Sequence, residues 1–283
     1  MTFSIVGRSA DGTQFGVAVA SKFLAVGSAV PAAAVNRDGR PGGALATQAL
    51  ANLAYRPDGL ALLAGGSTAE QTVAALTSAD AQAAERQLGV VDTAGRAATY
   101  TGPGCLAWAG GKSGYGYAIQ GNILVGSRVV ELMEEAWLAS DTREPLARRL
   151  LAALAAGDAS GGDSRGRQSA ALYVVSPGGG YGGGSDALVD LRVDDHADPV
   201  NELARLLDLH DLLFGAADPD TLLDLDDALS AEVTQLLALQ GFTGPLPEAL
   251  ATWAGRENLE ERMLPGKIDP TVLQHLRETA GQA

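Results

Sequence analysis

The residue that follows Met1 combines two chemical groups that together can cleave an amide. Thr2 is small enough for Met1 to be removed, and it would then carry both a hydroxyl and a free α-amine. The pKa of an α-amine is about 7.7–8.0, so near neutral pH the amine can accept the hydroxyl proton. Thr2 is therefore a candidate nucleophile that needs no other base. The simpler alternative is that Thr2 is only the second residue of a β-strand.

The absence of histidine from most of the chain narrows the possible kinds of site. The histidines are His196, His210 and His275, so the first 195 residues contain none. Ser-His-Asp, Cys-His and His-rich metal sites cannot form from those 195 residues alone. Cys105 is the single cysteine, and it lies in a predicted apolar strand, which favours packing over nucleophilic attack. We expect no metal ion and no other cofactor.

Polar residues at the ends of predicted apolar strands are candidates for the rest of the site. Ser21 and Lys22 follow the second strand, and the Lys22 ammonium would stabilise negative charge near Thr2. The amide of Asn122, which follows Gly121, is a candidate donor to an oxyanion. The alternatives are a solvated lysine at a strand end and a turn asparagine.

A polar loop before a later strand adds two charged candidates. Asp163 could orient Lys22 or the terminal amine, and Arg165 could hold a substrate carboxylate through two parallel N–H groups. A surface ion pair in a loop between a helix and a strand is an equally good interpretation. The residues expected to contact the substrate beside Arg165 also end or adjoin apolar strands: Ser21, Thr47, Gln48 and Gln120.

The elements that must position these residues alternate between groups of strands and groups of helices. Apolar alternation and turn residues predict strands at Thr2–Val6, Phe15–Ala20, Ala44–Gln48, Gln87–Asp92, Arg96–Thr101, Cys105–Ala109, Tyr115–Ile123, Ser169–Ser176 and Asp186–Val193. Helical periodicity predicts helices at Pro57–Ala64, Thr68–Leu76, Ser127–Ala139 and Glu144–Ala156. Ser67 and Glu70 are predicted to form a capping box at the second helix. Mainly antiparallel strands with segregated helices indicate an α+β layered fold.

The C-terminal part of the chain differs from the rest in pattern and in charge. Its pattern is helical, and we predict a small helical domain at residues 216–283 after a main domain at residues 1–215. Residues 1–185 carry 14 acidic and 14 basic side chains, whereas residues 186–283 carry 20 and 6. The net charge of −14 argues against nucleic acid as a partner, because phosphate contacts need clustered Lys and Arg.

The start of the chain and its apolar runs bear on location. No basic segment followed by an apolar stretch opens the sequence, which predicts that there is no signal peptide. The apolar runs are shorter than the roughly 20 residues that a membrane-spanning helix needs. We therefore expect a cytoplasmic protein that does not associate with membranes.

Several motifs within residues 2–176 resemble one protein family. They lie at Thr2–Arg8, Gly16–Phe23, Ala46–Ala49, Arg86–Asp92, Tyr117–Asn122 and Gly161–Ala171. In these motifs the chain is similar to DUF1028, a family of bacterial and archaeal proteins that is assigned to the N-terminal-nucleophile (Ntn) hydrolases and has no established activity. The resemblance implies a four-layer αββα sandwich whose second strand places Ser21 and Lys22 beside the nucleophile, and an oxyanion-binding role for Asn122.

The tail carries a separate resemblance. Its motifs at Glu232–Phe242, Glu248–Leu250, Trp253–Arg262 and Ile268–Pro270 are similar to a module found in many members of this family and labelled a peptidoglycan-binding domain. The same apolar residues equally describe a plain helical core. Because no signal peptide is predicted, we expect a docking module that supports a homodimer rather than one that binds cell wall.

Two functions follow from these observations. The first is an amidohydrolase that acts on a small molecule or peptide, in which Thr2 is acylated and water then releases the acid. The second is a non-catalytic protein of the same fold that binds a small molecule or a cell-wall fragment. Removal of Met1 separates the two, because only the first needs a free amine on Thr2.

Overall fold

The computed structural model describes residues 2–39, 42–215 and 217–281 of the chain. These residues form a mixed α+β fold. Their contacts divide the chain into two compact units, Met1–Leu206 and Leu207–Ala283. The division falls inside the helix Pro199–Phe214, earlier than the boundary that the sequence predicted after residue 215.

The first unit contains two antiparallel sheets. Its strands are β1 (Thr2–Arg8), β2 (Phe15–Ser21), β3 (Pro31–Ala34), β4 (Gly43–Ala49), β5 (Arg86–Asp92), β6 (Ala97–Thr101), β7 (Gly110–Gly114), β8 (Tyr117–Asn122), β9 (Ser169–Val175) and β10 (Ala187–Val193). The larger sheet has the order β10-β9-β2-β1-β8-β7 and the smaller sheet the order β3-β4-β5-β6. β1 lies between β2 and β8, and its first residue, Thr2, is paired with Asn122 of β8, whereas the pairing with β2 begins at Phe3.

Two features of the predicted strands are wrong. Residues Cys105–Ala109 form turns and irregular backbone, and the strand begins only at Gly110. The apolar run there was misleading because Leu106 is exposed rather than packed in a sheet. The small residues Pro31–Ala34, for which no strand was predicted, form β3 at the edge of the smaller sheet.

Helices cover the outer face of each sheet. The first unit contains α1 (Tyr55–Ala64), α2 (Ala69–Ser78), α3 (Arg128–Ala139) and α4 (Leu146–Ala159), and α5 (Pro199–Phe214) begins in it but continues past its last residue, Leu206. α1 and α2 pack their apolar residues on the smaller sheet, in a cluster that includes Leu45, Leu63 and Val73. α3 and α4 pack on the larger sheet, where a side chain at Gly7 would collide with Leu150 and Trp137.

The capping box of α2 lies one residue later than predicted. Thr68 is the N-cap: its side-chain oxygen accepts a hydrogen bond from the Gln71 backbone N–H, and the Gln71 side-chain oxygen accepts one from the Thr68 backbone N–H. The prediction named Ser67 and Glu70, one residue out of register. The error came from choosing between two adjacent hydroxyl residues, both of which suit an N-cap.

The inner faces of the two sheets share one apolar core. Alternate residues of β1 and β2 from the larger sheet meet alternate residues of β4 and β5 from the smaller sheet, as the two-residue period of a strand requires. The buried members include Val6, Phe15, Val17, Val19, Ala44, Ala46, Val91 and Ala118. This core occupies only part of the space between the sheets, and the remainder is polar.

The second unit is helical, with a core of its own. It contains β11 (Leu223–Asp224), α6 (Asp227–Leu239), α7 (Leu246–Glu257), β12 (Lys267–Ile268) and α8 (Pro270–Ala280). Trp253, Leu237 and Leu276 are completely buried in its apolar cluster. Arg262 and Asp269 form a buried ion pair, which ties the segment between α7 and α8 to the start of α8.

Candidate functional site

Thr2 lies at the polar end of the space between the sheets. It pairs with Asn122 of β8 in the register of the larger sheet. Its hydroxyl Oγ1 is 3.1 Å from the Oγ of Ser21, the last residue of β2. Only 6% of Thr2 is exposed to solvent. The hydroxyl is therefore held by a neighbouring side chain at a fixed place rather than left to rotate in solvent.

Two buried amide side chains lie against the carbonyl oxygen of Thr2, and a third accepts hydrogen bonds from both of them. Gln48 Nε2, from the smaller sheet, lies 3.3 Å from Thr2 O, and Asn122 Nδ2 lies 3.5 Å from it. Both nitrogens also donate to Gln87 Oε1, each at 2.8 Å. Gln87 thus joins the two sheets at the level of Thr2 and is completely buried.

The orientation of the Gln87 amide is fixed by its other contacts. Its Nε2 donates to the carbonyl oxygen of Gly121 at 2.7 Å, to Thr101 Oγ1 at 2.9 Å and to the carbonyl oxygen of Gly110 at 3.3 Å. A carbonyl can only accept, so the oxygen of Gln87 must face the amides of Gln48 and Asn122. The arrangement sets which atom of each amide points towards Thr2.

A second group of polar residues extends this network one step deeper. Ser4 Oγ donates to Gln48 Oε1 at 2.7 Å and accepts from Gln120 Nε2 at 2.6 Å. Gln120 Oε1 is buried and has no hydrogen-bond partner among the described residues. Gly89 makes room for this side chain, since a Cβ there would lie 2.0 Å from Gln120 Oε1.

Two of the charged candidates, Lys22 and Arg165, are exposed, and we call them the mouth of the site, whereas Asp163 is buried. Asp163 accepts from the backbone N–H of Lys22 at 2.7 Å and from that of Arg165 at 2.9 Å. The Lys22 ammonium is exposed and donates to the carbonyl oxygen of Arg167 at 3.1 Å. Arg165 Nη2 donates to the carbonyl oxygen of Lys22 at 3.1 Å and lies 3.4 Å from Asp163 Oδ2.

The structure thus brings most of the predicted residues to one place. Thr2, Ser21, Gln48 and Asn122 are within hydrogen-bond contact of one another, directly or through one shared atom, and Gln120 is one side chain further. Asp163 was predicted to orient Lys22 or the terminal amine, and it accepts a hydrogen bond from the backbone N–H of Lys22. The predicted removal of Met1 lies outside the described residues.

Thr47 points away from this network. Its Oγ1 donates to the carbonyl oxygen of Asn52 at 3.3 Å, and its backbone N–H donates to Val30. In a strand, neighbouring side chains face opposite sides, so Thr47 and Gln48 cannot both enter the space between the sheets. The structure therefore gives Thr47 a role in the turn that follows β4.

Sequence reasoning missed the two residues that link the network, Gln87 and Ser4. Both were placed in predicted apolar strands, Gln87 at the first position of its strand and Ser4 inside the first strand. A signal was present in the sequence. Side chains an even number of residues apart in a strand lie on the same face, so Ser4 shares a face with the buried Val6, and Gln87 with the buried Val91. A polar side chain at such a position must find a buried partner.

Cys105 is not a competing nucleophile in this geometry. It lies in a loop, and its Sγ is 3.3 Å from the carbonyl oxygen of Arg86. Burial raises the pKa of its thiol above the ordinary value, so little thiolate is present at neutral pH. Among the described residues no group of three or more His, Cys, Asp or Glu side chains could hold a metal ion.

The backbone around the site is strained at the strand ends. Ala49, which follows Gln48, has φ 68°, and Ile123, which follows Asn122, has φ 50°. A left-handed conformation is rare for alanine and rarer for a β-branched isoleucine. Such strain is typical of functional sites, where the surrounding structure imposes it.

A cleft of about 570 Å³ lies beside α1 and β9. Leu53, Arg56, Tyr173 and Arg192 are among the residues that line it, and burial raises the pKa of Tyr173, so its phenol stays protonated. Thr2 is not one of its lining residues among those described.

In the described part of the chain, no helix is both long and apolar enough to cross a bilayer.

The fold and the site define an α+β protein with a buried polar site between two stacked antiparallel sheets. The chain belongs to DUF1028, a family of unknown function, whose model matches residues 2–203. It is similar to the crystal structure of protein SPO2555 from Silicibacter pomeroyi, of the same family, with 33% sequence identity and a TM-score of 0.63 over 73% of this chain and 87% of that one. No curated protein matches the chain.

Proposed function

We propose that this protein is an N-terminal-nucleophile amidohydrolase in which Thr2 is the nucleophile. The observation that carries the proposal is the contact between the hydroxyls of Thr2 and Ser21, at the buried polar end of a unit without histidine in its first 195 residues. A nucleophilic hydroxyl at this position needs a base other than imidazole, because the first 195 residues contain no histidine. We assign that role to the α-amine of Thr2 itself.

The packing of the first unit supports this assignment. α1 and α2 cover the smaller sheet, α3 and α4 cover the larger one, and the sheets share a core. These pairwise contacts match the order helix, sheet, sheet, helix of an Ntn αββα sandwich. The nucleophile of that class begins a central strand of a sheet, and Thr2 begins β1, which has a partner on each side.

The proposed reaction begins when Oγ1 of Thr2 attacks the substrate carbonyl carbon. The hydroxyl proton passes to the α-amine and then to the leaving nitrogen as the C–N bond breaks, which leaves an ester on Thr2. Water then attacks the ester, a carboxylic acid leaves, and Oγ1 regains its proton. No oxidant or reductant is needed.

Asn122 is the proposed donor to the developing oxyanion. Its Nδ2 makes one firm hydrogen bond to Gln87, at 2.8 Å, and one long contact to the carbonyl oxygen of Thr2, at 3.5 Å. The long contact is the one that a substrate oxygen would replace at small cost. Gln87 would keep the amide in the orientation that presents an N–H to the tetrahedral oxygen.

Lys22 and Arg165 are the proposed contacts for a negative group of the substrate. Both are exposed at the mouth, and Asp163 holds the main chain of both. A guanidinium offers parallel N–H groups to a carboxylate, which suits substrate binding better than direct action on Thr2.

We also propose a cytoplasmic location, a homodimer and a docking role for the helical C-terminal part of the chain.

One observation favours the non-catalytic alternative. Thr2 is only 6% exposed, so a substrate carbonyl reaches it only if residues at the mouth move or if removal of Met1 opens a path. A binding protein of the same fold needs neither change. The two proposals therefore differ in what the mature N-terminus must be.

Intact mass and an amide screen test the proposal together. We expect the purified protein to lack Met1 and to release amine from at least one member of a library of acyl and peptidyl anilides. Full retention of Met1 in an active sample would exclude the terminal-amine mechanism. A Met1-free sample that cleaves none of the library would favour the binding protein.

A further inference from the structure

Six large apolar side chains are exposed around the end of the sheets at which Thr2 lies. Each is at least half exposed, at 53–66% of its surface. They are Phe23, Leu24, Leu50, Leu53, Leu106 and Val125, and we call them the apolar rim. Single exposed apolar residues are normal, whereas a group at one place marks a surface that binds something.

The rim is continuous with the residues that contact Thr2. Phe23 and Leu24 follow Ser21, whose hydroxyl is 3.1 Å from that of Thr2. Leu50 lies two residues after Gln48, whose amide reaches the Thr2 carbonyl oxygen. These rim residues thus lie two or three residues beyond Ser21, at the end of β2 in the larger sheet, and two residues beyond Gln48, near the end of β4 in the smaller sheet.

Two further members of the rim, Val125 and Leu106, adjoin the end of β8, the strand that pairs with Thr2. Val125 follows Asn122 by three residues, and Asn122 is paired with Thr2 in the sheet. Leu106 joins them because its carbonyl oxygen accepts from the backbone N–H of Ile123 at 2.9 Å. The left-handed residues Ala49 and Ile123 lie between these site residues and the rim, so strained backbone fixes both turns.

We propose that the apolar rim binds the acyl group of the substrate, and that this group is apolar. This inference rests on the proposed function, because it assigns the substrate class of the same site. The charges at the mouth, on Lys22 and Arg165, belong to the loop that Asp163 organises and leave the rim itself uncharged. A substrate with an apolar acyl group and an anionic leaving part matches both surfaces.

Leu53 belongs to the rim and also lines the cleft of about 570 Å³, whose other lining residues include the charged Arg56, Asp190 and Arg192. The apolar rim, rather than this cleft, is therefore the surface that suits an apolar acyl group.

Acyl p-nitroanilides of increasing length test the inference. Acetyl, butanoyl and hexanoyl anilides share one leaving group, so only the acyl chain changes. We expect kcat/KM to rise about fourfold for each methylene that becomes buried. A kcat/KM that is flat or falls with length would overturn the inference and leave the proposed function standing.

A binding measurement keeps the test independent of turnover. The same anilides are titrated into the Thr2→Ala protein by calorimetry, where we expect Kd to fall about fourfold per methylene. If no anilide is cleaved but this trend in Kd is present, the hydrolase proposal fails and the acyl-binding rim stands. A Kd that does not depend on length overturns the rim.

Substitutions within and outside the rim give the matched control. Leu50→Ser and Val125→Ser are expected to flatten the dependence of Kd on length, whereas Leu138→Ser is expected to keep it. Leu138 lies on α3 and is 64% exposed, so the change in surface polarity is the same. If the rim variants alter the oligomeric state by light scattering and keep the dependence, the rim joins two copies of the chain and the inference is wrong.

Discussion

The two ends of the space between the sheets are built by the same strands but filled with different side chains. Towards Thr2 the inward-facing residues become polar in five of the strands: Val6, Ser4, Thr2 in β1; Val17, Val19, Ser21 in β2; Ala44, Ala46, Gln48 in β4; Val91, Gly89, Gln87 in β5; Ala118, Gln120, Asn122 in β8. One end is therefore a close-packed apolar core, and the other is a hydrogen-bonded network.

The difference separates what stabilises the fold from what serves the site. Apolar burial stabilises without directional requirements, at about 25 cal/mol per Å². A buried hydrogen bond adds only about 1 kcal/mol net and costs more than that when its partner is missing. A network of amides at one end is thus a poor way to gain stability but a good way to fix the positions of donors around one carbonyl and one hydroxyl.

Removal of the Thr2 hydroxyl is the sharpest test of this separation. We expect Thr2→Ala to reduce amide cleavage at least about 10³-fold, because a methyl group cannot attack a carbonyl. The free energy of unfolding should fall by no more than about 1–3 kcal/mol, because the contact between the Thr2 hydroxyl and the buried Ser21 hydroxyl is lost. Rates on a cleaved anilide and urea unfolding provide the two measurements.

Two controls accompany this variant. Thr2→Ser keeps a hydroxyl and an α-amine and should keep activity. Cys105→Ser should also keep it, because the thiol lies in a loop and burial disfavours its thiolate. An inactive Cys105→Ser protein together with an active Thr2→Ala protein would mean that the nucleophile is misassigned.

The opposite result is expected at the apolar end. Phe15 is completely buried in the core between the sheets, so Phe15→Ala should lower the free energy of unfolding by about 3–5 kcal/mol. The activity of the molecules that remain folded should not change, because no network residue is altered. Phe15→Leu is the milder companion, should the alanine variant not fold. Loss of activity in a folded Phe15→Leu sample would contradict the separation of the two ends.

Gln87 is expected to affect both properties. Gln87→Met keeps the size of the side chain but leaves the amides of Gln48 and Asn122 without their shared acceptor, which should cost about 1–3 kcal/mol. The value of kcat should fall more than KM rises, because the released amides lose their orientation towards Thr2. Thr101→Val removes one of three acceptors of Gln87 Nε2 and should have a smaller effect on both measurements. Equal effects of the two variants would show that Gln87 only fills space.

The smallest effect is expected outside the space between the sheets. The Arg86 guanidinium, and then the Asn52 amide, hold the pKa of Asp80 below its ordinary value. A lowered pKa in the folded protein stabilises above about pH 4 and is lost as the pH falls below that. Asp80→Asn should therefore be less stable near pH 7, and its difference from the unchanged protein should narrow between about pH 4 and pH 2. Urea unfolding across this range measures it, and a difference that is independent of pH would rule out this ion pair as the cause.

Much of the fold could be predicted because strand and helix periodicities are strong where burial is one-sided. β1, β2, β4 and β5 were predicted to within a residue or two, and α3 to within one residue. Errors occurred where apolar composition and burial disagree, as in the exposed loop around Leu106. β3 was missed because Pro31–Ala34 is a run of small residues without alternation.

The site was predictable only at its strand ends. Ser21, Gln48 and Asn122 were singled out because a polar residue that closes an apolar strand is visible in the sequence. Gln87 was missed because it opens its strand, and its importance comes from contacts with residues 35 and 39 positions away. Which way the Lys22 ammonium turns depends on the Arg167 carbonyl, and sequence spacing carries no information about that contact.

The vacant side-chain position at Gly89 constrains the order in which the sequence can change. Any residue with a Cβ there would place that atom 2.0 Å from the Gln120 amide oxygen. A lineage that gained alanine at position 89 first would have to move the Gln120 side chain away from its contact with Ser4 Oγ, whereas one that shortened Gln120 first would meet no such obstacle. Gly89 and Gln120 are therefore expected to vary together among relatives, and the shorter side chain at position 120 should be the older of the two changes.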